Sequence, residues 1–195
     1  MQLAENYDAE LLLVAPQPGL EAGEVPASLA ALLQRSTADV GLLLGPAQAR
    51  AGSGVFVPFG GSEHDWAALE LGAWAAASSG EPLRLVGARA DRAGGRRDAS
   101  RLLADAAVAV QRIAGVETEP LLVDAGPESL LDAVSPAAAV VVGISSAWRR
   151  EGIGPVRSTL VKEARAPTVL VHRGPRPGVL APRASSTRFT WTIRG

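Results

Sequence analysis

The sequence predicts an α/β fold: an open parallel five-stranded sheet with helices on both faces, preceded by a strand–helix–strand fragment of a similar unit. Three observations carry this reading. Short runs of β-branched residues and leucine alternate with longer Ala/Leu-rich segments, as they do in successive βαβ units. Several of the short runs are apolar throughout, which suits strands covered on both faces. Proline and glycine punctuate the chain where helices begin and end.

The predicted elements follow in order. A strand at 10–15, a helix at 26–36 and a strand at 40–44 form the fragment. The main unit then runs through strands at 55–59, 83–87, 119–123, 139–143 and 168–172. Its helices are expected at 63–79, 97–115, 127–134 and 155–164. Pro26, Pro127 and Pro155 stand in first helical turns, where no backbone donor is needed. Gly80 and Gly115 stand just past helices, where a left-handed cap favours glycine.

An internal repeat organises the chain. Gly23-Glu24-Val25-Pro26, a helix, Val40 and Gly45-Pro46 are similar to Gly152-Ile153-Gly154-Pro155, a helix, Val169 and Gly174-Pro175. The separation from Pro26 to Pro46 equals that from Pro155 to Pro175, and the strand at 11–15 matches the one at 140–143. Residues 1–50 therefore read as the C-terminal part of a first repeat, 53–175 as a complete domain and 176–195 as a tail. The repeat implies a chain that starts partway through a domain. The last strand, at 168–172, is expected to pair with the strand at 40–44 and make a pseudo-twofold tandem that covers both edges. In the tail, Phe189 and Trp191 alternate with threonine and are expected to dock on a neighbouring surface.

Composition narrows the function. A chain of 195 residues, 47% hydrophobic, can bury a sizeable core and is not disordered. With aromatics at 4%, that core must be built from Leu, Val and Ala. A net charge of −1 and a pI of about 6.1 speak against a nucleic-acid partner. The absence of cysteine removes disulfides, thiolate catalysis and zinc–cysteine sites, and two histidines make a histidine-rich metal centre improbable. No apolar run reaches the roughly 18 residues that cross a bilayer. The start lacks the basic region of a signal peptide, so a soluble cytoplasmic protein is expected.

In an open parallel sheet, ligands bind beyond the carboxyl ends of the strands. That rule selects loops whose glycines let a backbone approach a phosphate. The candidate ligand-binding residues are Gly60, Gly61 and Ser62 after the strand at 55–59, Gly87 after the next, and Gly126 before Pro127. Gly143, Ser145, Ser146, Gly152 and Gly154 complete the set around the strand at 139–143 and the last helix. Each glycine alone also serves simply to turn the chain. Ser62, Glu63, His64 and Asp65 resemble a hydrolytic set, but adjacent residues entering one helix diverge, so Ser62 reads as a cap. His172 has no acidic partner in sequence and reads as packing. Trp66 and Trp74 share a helical face and read as core or interface. The pairs Arg96-Arg97 and Arg149-Arg150 read as solvated charge, the second lying within the candidate phosphate loop.

These features together resemble a universal stress protein domain over residues 53–175, a five-stranded parallel fold of order 3-2-1-4-5. The wording is similar to the cytoplasmic C-terminal region of bacterial cation/proton antiporters of the monovalent cation:proton antiporter-2 type. The similar segments are Gly61-Ser62-Glu63-His64-Asp65-Trp66-Ala67-Ala68-Leu69-Glu70, Ser100-Arg101-Leu102-Leu103-Ala104-Asp105-Ala106 and Arg188-Phe189-Thr190-Trp191. The resemblance implies a non-enzymatic cytoplasmic regulatory domain whose partner is the membrane transport domain of an antiporter at the inner membrane. A homodimer or tandem pseudo-dimer is expected, with ATP or AMP as candidate ligands. The alternative is a stand-alone nucleotide-binding universal stress protein. A phosphate-loop hydrolase is disfavoured, since no matching Asp-Ser follows and no credible base is present.

The sequence also departs from the family's ATP-binding pattern. Gly60 stands where those members carry an acid, and Ser146 where they carry a glycine. The path from there to Gly154 is about two residues short. Pro155 replaces a serine or threonine, removing both a hydroxyl and a backbone donor. The resemblance therefore leaves the ligand open.

Overall fold

The structure, a computed structural model, describes residues 9–15, 18–45, 53–89 and 99–180. Its strands are β1 (Leu11–Val14), β2 (Asp39–Leu44), β3 (Val55–Pro58), β4 (Leu83–Ala88), β5 (Thr118–Val123), β6 (Ala139–Gly143) and β7 (Thr168–His172). The helices are α1 (Ala27–Arg35), α2 (Glu63–Ser79), α3 (Ser100–Ala114), α4 (Pro127–Val134), α5 (Trp148–Glu151) and α6 (Pro155–Glu163). A 3₁₀ turn at Leu20–Ala22 precedes α1. Neither that turn nor α5 follows from the sequence pattern, because each is a single turn too short to show periodicity. Among the described residues, no helix is long and apolar enough to cross a membrane.

One sheet holds all seven strands, in the order β1-β2-β7-β6-β3-β4-β5. Counted from β3, the five strands of the main unit run 3-2-1-4-5, as the resemblance implies. The preceding fragment extends that sheet to seven strands. The junction is the expected pairing of β2 with β7, antiparallel, with Leu42 opposite Leu170. Every other neighbouring pair is parallel.

Alternation along the strands builds two cores. Val55 and Val57 face α2 and α3, together with Val141, Val171, Leu83 and Leu85. Phe56 points the other way, into a core with Val140, Val142 and Leu170, and with Leu29 and Leu33 of α1, Leu130 of α4 and Leu160 of α6. Few aromatics take part, as the composition requires.

The strand–helix–strand units β1–α1–β2 and β6–α6–β7 correspond one residue out of the register that their prolines suggest. β1 pairs with β2 by setting Leu11 opposite Asp39, and β6 pairs with β7 by setting Val140 opposite Thr168. Hydrogen bonding decides the alignment. Asp39 donates its N–H to the Glu10 carbonyl, whereas the Pro167 carbonyl accepts from Val140. Asp39 and Pro167 thus both face the preceding strand, and they are the equivalent residues. Pro26 then falls on Gly154, and each is the N-cap of its helix. The same alignment sets Leu20 on Trp148, Leu29 on Arg157 and Leu13 on Val141. Proline stands at the N-cap in one half and at the first helical residue in the other, so matching the prolines misplaces the repeat.

A short strap, residues 173–180, ties the halves together. Arg176 donates to Asp39 Oδ2 at 2.6 Å and to Glu70 Oε1 at 3.0 Å, while the backbone N–H groups of Gly174 and Val179 donate to the same two carboxylates. Both carboxylates are buried. The start of the segment read as a tail, residues 176–180, is therefore anchored, and Leu180 is buried. The tail residues Phe189 and Trp191 lie outside the described residues.

Candidate functional site

From β3 the chain proceeds to β4 and β5 on one side, while β6 and β7 lie on the other, so strand order reverses between β3 and β6. The carboxyl ends of these two strands are the expected ligand position. At the β3 end, Gly61 adopts φ +84° and turns the chain into α2. Ser62 caps that helix by accepting from the Asp65 N–H at 3.2 Å, and Asp65 returns by accepting from the Ser62 N–H at 3.0 Å. The same carboxylate accepts from the Gly60 N–H at 3.1 Å. Burial pushes the Asp65 carboxyl up, against the lowering pull of the Ser62 and Gly60 donors and of Arg157. A Cβ at position 60 would lie 3.3 Å from Asp65 Oδ2, so an acid there would begin beside a buried carboxylate.

At the β6 end, Gly143 lies against the first turn of α2. A Cβ there would meet the Asp65 nitrogen and the His64 carbonyl carbon at 2.5 Å each, so only glycine lets helix and strand approach this closely. Ile144 and Ile153 are buried and anchor the following loop at both ends. Ser145 Oγ accepts from the Ala147 N–H at 3.2 Å and shapes the turn into α5.

Between the two strand ends lies Arg157, from the first turns of α6. Its Nε donates to the Gly143 carbonyl, and its Nη2 stands 3.9 Å from Asp65 Oδ1, beyond a tight pair. Burial pulls the guanidinium pKa down and Asp65 opposes this. In the other half of the repeat this position is Leu29, buried in the core. A cation thus occupies a site that the fold can fill with leucine.

The chain's two histidines meet beside this crevice. The His64 and His172 rings stack with centroids 4.7 Å apart, and Trp148 stands edge-on to His172 at 5.6 Å. His64 Nδ1 accepts from the Arg173 N–H at 3.0 Å, which requires the neutral ring. Burial, with lesser repulsion from Arg157 and Arg173, lowers His64 to about 4. Burial and the neighbouring His64 likewise lower His172 to about 4. Sequence reasoning treated the two apart. The available signal was their placement: His64 enters the helix after β3, and His172 ends β7, whose carboxyl end lies on the same side of the sheet.

The candidate residues divide accordingly. Gly60, Ser62 and Gly143 converge on Asp65, while Gly61 turns the chain between them with Leu102 beside it; at Gly154 a Cβ would lie 4.0 Å from both Ser145 Cβ and Arg157 Nη1. Ser146 lies exposed in the same loop. Gly87 is elsewhere: a Cβ there would meet Ala99 Cβ at 2.7 Å, so it admits α3 against the sheet. Gly126 starts α4 after β5, two strands away from β3. Gly152 packs on the Gly23 carbonyl, which accepts from the Ile153 N–H at 3.0 Å. Beside that contact an open cleft of about 610 Å³ lies between α1 and α5, lined by Glu24, Gln34, Trp148, Arg149 and Arg150. Arg149 covers the Trp148 ring at 5.3 Å. The Arg96-Arg97 pair lies outside the described residues. Trp66 packs edge-on against Phe59 at 5.0 Å, and Trp74 lies under the Arg176 guanidinium at 5.9 Å.

No protein-family model matches the sequence, and no curated protein does. Solved structures with the fold of universal stress proteins do match. A universal stress protein from Archaeoglobus fulgidus in complex with dAMP aligns with TM-score 0.51 and 22% identity, covering 63% of this chain and 99% of that one. A universal stress protein in complex with cAMP aligns with TM-score 0.50 and 19% identity, over 64% of this chain and 100% of the other. A third, from Archaeoglobus fulgidus DSM 4304, aligns with TM-score 0.59 and 15% identity over 89% of this chain, which spans 64% of that longer one. The fold is therefore that of universal stress proteins.

Proposed function

We propose that the chain is a non-catalytic module that binds an anionic ligand of the adenine-nucleotide class at the carboxyl ends of β3 and β6, as a stand-alone universal stress protein would. The observation that carries this reading is Arg157, a half-buried cation at the switch point where the other half of the repeat has Leu29. Its guanidinium has N–H groups beyond the one spent on Gly143 and makes only a loose approach to Asp65. Those donors replace what Pro155 removes from the loop, a hydroxyl and a backbone N–H. The fold neighbours that hold dAMP and cAMP support the ligand class.

The test is the mass spectrometry of small molecules released from denatured protein, with thermal-shift titration by AMP, dAMP, cAMP and Mg-ATP. A saturable rise in melting temperature is expected with at least one of them. In Arg157→Leu, which copies the other half, the chain folds but its affinity falls roughly 10- to 100-fold, the worth of a charge-assisted bond to phosphate. No rise at millimolar nucleotide, or an equal rise in Arg157→Leu, contradicts the reading.

A second reading places this module in the cytoplasm as the regulatory domain of a cation/proton antiporter, favoured by the similar segments at 61–70, 100–106 and 188–191. Ligand binding would then bias the transport domain by linkage. Under that reading, nucleotide changes cation-driven proton exchange in vesicles bearing the whole transporter, and Arg157→Leu removes the change. Exchange indifferent to both would count against it.

A further inference from the structure

The two halves of the repeat are covered unequally. Val141 of β6 and Val171 of β7 are 2% and 0% exposed, packed under α2, which crosses β3, β6 and β7. Their equivalents are Leu13 of β1 and Leu43 of β2, which are 64% and 37% exposed. Gly41 lies between these two leucines and adds no cover; a Cβ there would touch Leu13 Cδ2 at 2.8 Å. The edge differs in the same way. β6 pairs in parallel with β3, Val55 opposite Ala139. The equivalent side of β1 has no strand beside it among the described residues. Since the Glu10 carbonyl faces β2, alternation turns the N–H and C=O groups of Leu11 and Leu13 outward.

Edge strands of soluble proteins are commonly blunted by charge or proline. β5, at the far end of the sheet, has both: Pro120, and Glu119 paired with Arg84 at 2.8 Å. β1 reads Leu-Leu-Leu-Val and has neither.

We infer that the edge of β1 facing away from β2, unpaired among the described residues, and the sheet face of Leu13 and Leu43 dock a strand–helix unit of the β3–α2 kind. Its strand adds in parallel beside β1, with the residue equivalent to Val55 opposite Leu11, and its helix covers Leu13, Gly41 and Leu43. The repeat specifies this occupant, because one unit of that kind supplies both kinds of cover on the other half. A second copy of the chain cannot supply it in its folded state, since β3 has a neighbour on each side.

The probe is the segment 53–79 of this sequence, carried on a soluble fusion partner and added to the full chain. Hydrogen exchange should show new protection at the amides of Leu11 and Leu13, and binding should saturate at one segment per chain. Leu13→Pro removes an outward N–H without touching the bonds to β2, so the chain stays folded and affinity falls at least tenfold. Leu43→Lys weakens binding while leaving the edge intact. Protection at β5 instead, or equal binding by Leu13→Pro, overturns the inference. So does failure of the soluble fusion to bind. Concentration-dependent self-association that protects Leu11 and Leu13 in the chain alone overturns it too, by showing a second copy as the occupant.

Discussion

A methyl group at position 143 would meet α2 backbone at 2.5 Å, so Gly143→Ala must push the helix off the end of β6. We expect a loss of about 1–3 kcal/mol in urea denaturation, the usual cost of overpacking. Arg176 acts through charge. Arg176→Met leaves Asp39 and Glu70 buried without their shared cation, at a cost of about 3–5 kcal/mol. Adding Asp39→Asn and Glu70→Gln should recover part of that loss in the same assay. The histidines set a pH dependence. Both are held near 4, below the ordinary 6.5, so the unfolded chain binds more protons between those values. Their contribution to stability is complete above about 6.5 and is lost as pH falls toward 4. His172→Phe should therefore flatten the fall of stability over that window, read as the difference from the unaltered chain. At this scale the sequence showed Ser62 as a cap; it read Gly143 and Gly87 as ligand-binding candidates, not as the places where a helix meets a strand. It did not show His64 beside His172, which depends on α2 crossing β7, or Asp39 beside Arg176, which depends on the strap after β7 returning to the start of β2.

The elements themselves were largely legible, since strand and helix periods survive in long segments. α2 runs over the predicted residues, Glu63–Ser79, and α4 over Pro127–Val134. The single turns were not legible, and one of them matters. Leu20, in the 3₁₀ turn, is wholly buried, and that turn packs on α6. Leu20→Ala is expected to cost about 2–5 kcal/mol by thermal or chemical denaturation, as large cavities in cores do. A loss under about 1 kcal/mol would mean that the first half contributes little to the core. The repeat was visible in the sequence, but its register was hidden, because proline is acceptable both at an N-cap and at the residue after it.

At the scale of the molecule, seven strands among the described residues form one sheet whose two ends differ in cover and whose switch point holds a cation. That the main strands run parallel followed from the alternating apolar runs, their order from the family resemblance, and the pairing of the halves from the repeat. The occupation of the switch point by Arg157 did not, because nothing local sets an arginine inside a helix apart from a solvated one. Only comparison with Leu29 in the other half marks it. The most direct measurement is an AMP titration of the isotope-labelled chain, following backbone amide resonances. Saturable shifts are expected at Gly60, Gly61, Gly143 and Gly154, and their loss in Arg157→Leu. Shifts confined to the cleft at Gly23, Trp148 and Arg149, or none at millimolar AMP, would contradict ligand binding at the switch point.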